Sequence, residues 1–342
     1  MVAGACILGC AGPRLSRDEA RFLGRADPWG FILFARNLID PAQIRRLTAD
    51  LRDAVGRDAP VLIDQEGGRV ARLRPPQWRA WLPPLEQMAQ SGGSTRALYL
   101  RAALIAAELR ALGIDTNCAP VADIAGPDTH PFLRNRCHGT DAESVTTAAR
   151  AVADGLLAGG VLPVVKHLPG HGRAEADSHH HLPRVTADIE TLRQTDFAPF
   201  RALADLPLGM TAHVVFDALD PHNPATTSPE ILAMIRAWIG FEGLLMTDDI
   251  SMQALAGRVG ARAGAALAAG CDLVLHCNGD AREAAEVAER VGPMSAGAIA
   301  RAERALALRP EMAPALDCAA LEAEFTGIMG GIMGGIVGGA DG

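Results

Sequence analysis

The chain lacks long hydrophobic runs. Among its 342 residues no apolar stretch approaches the ~20 residues that a membrane helix needs. It also lacks an excess of positive charge. The 32 lysines and arginines are outnumbered by 40 acids, the net charge is −8, and the basic residues are dispersed. That leaves no electrostatic footprint for nucleic acid. No G-x-G-x-x-G follows the first strand-like run, which weighs against a dinucleotide-binding sheet. Ile7-Leu8-Gly9-Cys10 resembles a lipoprotein cleavage site, but no positive segment precedes it and the apolar stretch is short. Residues 2–10 therefore read as a first strand. The seven cysteines are odd in number and sit mostly in apolar contexts. They are expected to be reduced and buried in a cytoplasmic protein.

What is present is a regular alternation. Apolar residues make up 49% of the chain, enough for a sizeable core. Strand-like runs fall at 6–10, 30–35, 60–64, 115–121, 162–167, 209–215, 244–248 and 272–277. Between them lie stretches at helical spacing, at 41–55, 94–112, 141–158, 188–204, 229–239, 258–269 and 281–290. Ser16 before Arg17-Asp18-Glu19, and Ser228 before Pro229-Glu230, are plausible helix starts. Eight strands alternating with helices predict an α/β fold, a single (β/α)8 TIM-type barrel, over residues 1–310. Residues 311–342 are a C-terminal extension. From Gly327 the repeat G-I-M-G-G-I-M-G-G-I-V-G-G is too glycine-dense to hold a helix or strand cheaply, so a mobile tail is expected there.

The carboxyl ends of the strands collect polar residues, and in a barrel that rim is where ligands bind and chemistry occurs. The third strand ends in Asp64, followed by Gln65-Glu66-Gly67-Gly68-Arg69-Val70-Ala71-Arg72. The fourth leads to Asp123, the fifth ends in Lys166 and His167, and the sixth carries His213. The seventh ends in Asp248 and Asp249, and the eighth near His276 and Asn278. Asp64, Arg72, Lys166 and His167 supply the paired donors and acceptors that neighbouring sugar hydroxyls require.

After the fifth strand the chain reads K-H-L-P-G-H-G-R-A-E-A-D-S-H-H-H. Three consecutive histidines in an extended segment cannot all face one point, and no H-E-x-x-H is present. No metal and no cofactor are expected. Residues two apart in extended chain do share a side, so Asp177 could orient the imidazole of His179 as a proton-transfer dyad. The plainer alternative is a solvated polar loop.

K-H-L-P-G-H-G (166–172) followed by D-S-H (177–179) resembles the signature of glycoside hydrolase family 3 β-N-acetylglucosaminidases. D-Q-E-G-G-R-V-A-R (64–72), M-T-D-D-I-S-M (246–252) and F-I-L-F-A-R-N (31–37) are similar to further motifs of that family, in the expected order. Within it, the chain most resembles short bacterial enzymes of cell-wall recycling. These remove terminal N-acetylglucosamine from muropeptides carrying 1,6-anhydro-N-acetylmuramic acid.

The resemblance implies that Asp248 is the catalytic nucleophile, His179 the general acid/base and Asp177 its partner. Asp64, Arg72, Arg136, Lys166 and His167 match the residues that bind the terminal sugar. Around Arg136 the run N-R-C-H-G follows the family pattern only loosely, and Leu168 stands where the family usually has phenylalanine. A retaining hydrolysis through a glycosyl-aspartate is implied. The expected partner is a carbohydrate or muropeptide, with no nucleic acid or membrane. Sequence does not set the oligomeric state, and a monomer is favoured. Alternatives are phosphorolysis by the same residues, a β-glucosidase of the same fold, and a metal-dependent barrel hydrolase.

Overall fold

The computed structural model describes residues 2–174 and 182–337. Eight strands close a parallel barrel: β1 (Gly4–Gly9), β2 (Pro28–Leu33), β3 (Val61–Ile63), β4 (Thr116–Asn117), β5 (Leu162–Leu168), β6 (Leu208–Thr211), β7 (Leu244–Asp249) and β8 (Leu273–His276). Each pairs with its neighbours in sequence, and β1 closes on β8 through Cys6 opposite Val274 and Leu8 opposite His276. All eight expected strands are present. β3, β4, β6 and β8 are shorter than their apolar runs.

The strands form here because their side chains are apolar on both faces. β1, β2 and β5 are buried along their whole length, as a parallel sheet between a filled interior and a helical ring demands. Gly209 in β6 is required by packing: an added Cβ would lie 2.7 Å from Phe241 and 2.9 Å from Leu168. The helices start where the sequence places caps. Ser16 accepts the Glu19 N–H at 3.1 Å. Ser228 accepts the Ile231 N–H at 3.3 Å, with Pro229 in the first turn.

Two helical expectations are modified. The 188–204 stretch divides into helices Ile189–Gln194 and Ala198–Ala202, with Pro199 opening the second because it has no N–H for a continuing helix. The 229–239 stretch ends in a π-helical turn, Ile235–Ile239, before Gly240 at φ 78°.

The amino-terminal face of the barrel is pinned by two aspartates. Asp115 accepts the Val61 N–H at 2.8 Å and binds Arg52 and Arg309 at 2.8 and 2.6 Å. Asp272 accepts the Leu245 N–H at 2.9 Å and binds Arg236 and Arg301 at 2.6 and 3.0 Å. Each carboxylate starts one strand and holds the neighbouring strand's backbone. These charges serve stability, on the face opposite the chemistry.

After helix Ala296–Leu306 the chain enters a last helix, Cys318–Val337, which continues through Gly327 and Gly330. Its anchor is Phe325, buried against Trp81. Burial of a phenylalanine stabilises such docking by about 1.5–3 kcal/mol, and packing against the barrel outweighs weak propensity. Among the described residues no helix is long and apolar enough to cross a membrane. Six cysteines are buried and unpaired, and Cys318 is exposed.

Candidate active site

At the carboxyl rim an open cavity of about 790 Å³ is lined by Asp64, Arg72, Arg136, Lys166, His167 and Asp248, among others. The structure therefore brings together every expected site residue that it describes. Asp177 and His179 lie outside the described residues. His276 and Asn278 do not join the site: both turn to Glu283, at 3.2 and 2.5 Å.

Asp64 is carried just past the end of β3. Its carboxylate accepts Arg72 Nη2 at 2.9 Å on one oxygen and Lys166 Nζ at 2.9 Å on the other. Burial pushes this carboxyl up, but Lys166 and Arg72 overcome it and hold it well below the usual carboxylate range. Glu66 is an acid to which sequence reasoning gave no role. It takes Lys166 Nζ at 2.6 Å and a bidentate pair from Arg136 at 2.9 Å on each oxygen. Burial raises its pKa, and the Arg136 and Lys166 charges bring it down to about 2. The same carboxylates hold Lys166 in its charged form against burial. Asp64 and Glu66 stand two residues apart on extended backbone, so they share a face. That alternation was the signal for Glu66.

The backbone between Asp64 and Arg72 is a short ribbon, Gln65–Gly67 against Val70–Ala71. Gly67 and Gly68 turn it, with φ of 105° and 58°, a region that side chains disfavour. Gln65 fastens the ribbon to itself: its Oε1 accepts the N–H groups of Arg72 and Leu73 at 2.8 and 3.0 Å.

His167, on β5, is oriented by Asp123, whose Oδ2 lies 2.7 Å from Nδ1. Its Nε2 faces Arg136 Nη2 at 3.4 Å. Since a guanidinium only donates, Nε2 is assigned as acceptor and Nδ1 as the protonated nitrogen. Asp123 also accepts the His171 N–H at 2.7 Å. Burial pushes Asp123 up, and His167 and His171 bring it below the ordinary carboxylate value. His171 is pushed down to about 4 by burial and by His167, so its imidazole is neutral at pH 7.

Asp248 stands at the end of β7 with a half-buried side chain. Its Oδ1 accepts the Asp249 N–H at 2.8 Å. Burial raises this carboxyl, but His167, His213, the Asp249 N–H and Lys166 together hold it below its ordinary value. It is ionised at neutral pH and faces the cavity. Asp249 does something different. It accepts Ser251 N, Ser251 Oγ and Cys277 N at 3.0, 2.7 and 3.1 Å.

His213 lies behind this turn, with Nε2 3.0 Å from the Asp249 carbonyl and Nδ1 2.7 Å from Thr226 Oγ1. A carbonyl only accepts, so Nε2 is assigned the proton. Burial lowers the His213 pKa, and the two hydrogen bonds brace the turn behind Asp248. Among the described residues no group of three or more His, Cys, Asp or Glu side chains is arranged to hold a metal.

This rim chemistry is that of a carbohydrate-processing barrel. The glycosyl hydrolase family 3 N terminal domain matches residues 8–307. The chain belongs to glycoside hydrolase family 3. It is 39% identical over 274 residues to the β-hexosaminidase of Methylococcus capsulatus, covering 78% of this chain and 80% of that one. It is 36% identical over 288 residues to the β-hexosaminidase of Pseudomonas aeruginosa, covering 83% and 85%. The solved structure of NagZ from Neisseria gonorrhoeae in complex with N-trifluoroacetyl-D-glucosamine superposes with a TM-score of 0.82 at 30% identity over 98% of both chains.

Proposed function

We propose that the chain is a β-hexosaminidase that removes terminal, non-reducing β-linked N-acetylglucosamine with retention of configuration. The observation that carries this reading is the placement of Asp248. Its ionised carboxylate faces the same cavity as the Asp64–Arg72–Lys166–His167 cluster. A pyranose held by that cluster presents its anomeric carbon to a carboxylate fixed by the backbone. The buried Nε of Arg72 has no hydrogen-bond partner among the described residues, and a sugar hydroxyl would satisfy it.

Asp248 attacks the anomeric carbon, and the bond to the leaving oxygen breaks. Protonated His179 delivers its proton to that oxygen. The product is a glycosyl ester on Asp248. Neutral His179 then takes a proton from water, whose oxygen attacks the same carbon and releases the Asp248 carboxylate. Two inversions give net retention. Asp177 holds the imidazole. Residues 175–181 begin four positions beyond His171, which lines the cavity. The neighbouring histidines support the assignment to His179: burial pushes His171 down to about 4, and both ring nitrogens of His213 are taken up by the Asp249 carbonyl and Thr226.

The substrate we favour is a muropeptide with 1,6-anhydro-N-acetylmuramic acid on the reducing side. The buried, unpaired cysteines support a reducing, cytoplasmic setting. The test is hydrolysis of an aryl β-N-acetylglucosaminide followed by proton NMR. The β-anomer should appear first, and the matching β-glucoside should be a much poorer substrate. First appearance of the α-anomer, or preference for the glucoside, contradicts the reading.

A further inference from the structure

The Gly67–Gly68 turn that carries Asp64, Glu66 and Arg72 does not stand alone. The Gly68 N–H donates to the Trp81 carbonyl at 2.8 Å. A Cβ on Gly67 would lie 2.7 Å from the Leu82 carbonyl, and one on Gly68 would lie 2.9 Å from Pro83. The guanidinium of Arg101 donates to the Glu66 carbonyl and stacks 5.7 Å from the Trp81 ring. The turn is therefore seated on the segment 81–83 with no room between them.

That segment is in turn held by the last helix, which lies beyond the matched family domain. Phe325 meets Trp81 edge to face at 5.6 Å. Arg79 lies over both rings, at 4.4 and 4.8 Å from their centroids. Its guanidinium is fixed by Glu322, at 2.5 and 2.7 Å. Phe325 and Trp81 are both buried, at 4% and 6% exposure. A second tie, Arg96 to Glu324 at 2.7 Å on each oxygen, fastens the same helix without touching Trp81.

We propose that Phe325 and Glu322 of the C-terminal helix are positioning residues of the sugar site: they hold Trp81 and Arg79, which seat the Gly67–Gly68 turn and so set Asp64, Glu66 and Arg72. The claim that this affects sugar binding rests on the hexosaminidase reading; the mechanical coupling does not. A site held in place by its supporting shell binds without a cost of ordering, and loosening that shell weakens binding first.

The experiment compares full-length Phe325→Ala, Glu322→Gln and the control Glu324→Gln. Kinetics use an aryl β-N-acetylglucosaminide. Amide hydrogen exchange is followed over residues 65–72. Phe325→Ala is expected to raise KM roughly three- to tenfold with a smaller change in kcat. It should also speed exchange across the ribbon, the Gly68 amide included. Glu322→Gln should do the same more mildly, and serves if Phe325→Ala fails to fold. Glu324→Gln should lower thermal stability while leaving KM and ribbon exchange unchanged. Unchanged exchange in a folded Phe325→Ala or Glu322→Gln protein would overturn the proposal. So would a KM rise in Glu324→Gln equal to theirs. If the wild type does not cleave the glycoside but both variants still speed ribbon exchange, the hexosaminidase reading fails and the coupling stands.

Discussion

Asp249 accepts the backbone N–H of Cys277 at 3.1 Å and so ties the end of β7 to the end of β8. The residue beside the proposed nucleophile is thus a clamp on the rim. Its other contacts, to Ser251, close the turn that follows. Asp249→Ala should lower stability by about 1–3 kcal/mol, the cost of stranding buried donors, and reduce kcat by displacing Asp248. Asp249→Asn keeps an acceptor for both N–H groups and should be milder. Thermal unfolding and steady-state kinetics of the two variants check this. Equal losses in both would mean that the charge, and not the clamp, matters.

Glu66 gives the site an acid limit. Its folded pKa, about 2, lies below its ordinary 4.5. A depressed carboxyl contributes stability that is fully present above the unfolded value and is lost as pH falls through the folded one. Asp64 and Asp123 shift in the same direction. The protein should lose stability steadily between about pH 4.5 and 2. Glu66→Gln should flatten that acid limb. At neutral pH it should cost about 3–5 kcal/mol, as one side of a buried ion pair is removed. Urea unfolding at several pH values measures both. Parallel pH curves for the two proteins would contradict the account.

Glu108 runs the other way. Burial raises its carboxyl from 4.5 to about 7, with Arg79 opposing and Glu322 assisting. Its Oε2 is buried without a hydrogen-bond partner among the described residues. A raised carboxyl binds its proton more tightly in the folded state, so stability falls as pH rises from 4.5 through about 7. Glu108→Gln removes that penalty. The variant should gain in melting temperature over wild type as pH rises across that window. A constant difference across it would show that Glu108 does not titrate there.

The proposed acid/base has a leaving-group signature. His179→Ala should lose about 10²–10⁴-fold in turnover on substrates with poor leaving groups. On activated aryl glycosides only the second step needs the base, so the loss should be smaller and azide should restore part of it. Asp177→Asn should follow the same pattern more mildly, and alanine at His180 or His181 should be tolerated. An equal loss for every leaving group, with no azide rescue, would make the dyad structural and turn attention to Glu175.

Much of this arrangement is legible in the sequence because a barrel strand announces itself twice. An apolar run marks its buried length, and a charged residue marks its end. Asp64, Lys166, His167 and Asp248 all follow that pattern and all reach one cavity. The partnership of Glu66 with Arg136 is not legible: 70 residues separate them, and no local spacing says that they meet. Nor does strand-end position alone separate Asp248 from Asp249, whose roles diverge through the contacts of a single turn. The docking of the C-terminal helix escapes a reading of composition, because composition describes the isolated segment, whereas Phe325 is held through a contact with Trp81.

The central claim is that Asp248 is the nucleophile. A mechanism-based 2-acetamido-5-fluoro glycoside forms the glycosyl-enzyme and slows its breakdown. Intact-mass measurement followed by peptide mapping should find one label, on a peptide containing Asp248, and none in Asp248→Ala. That variant should remain folded and lose several orders of magnitude in turnover. A label on another residue, or near-normal turnover in Asp248→Ala, would contradict the account.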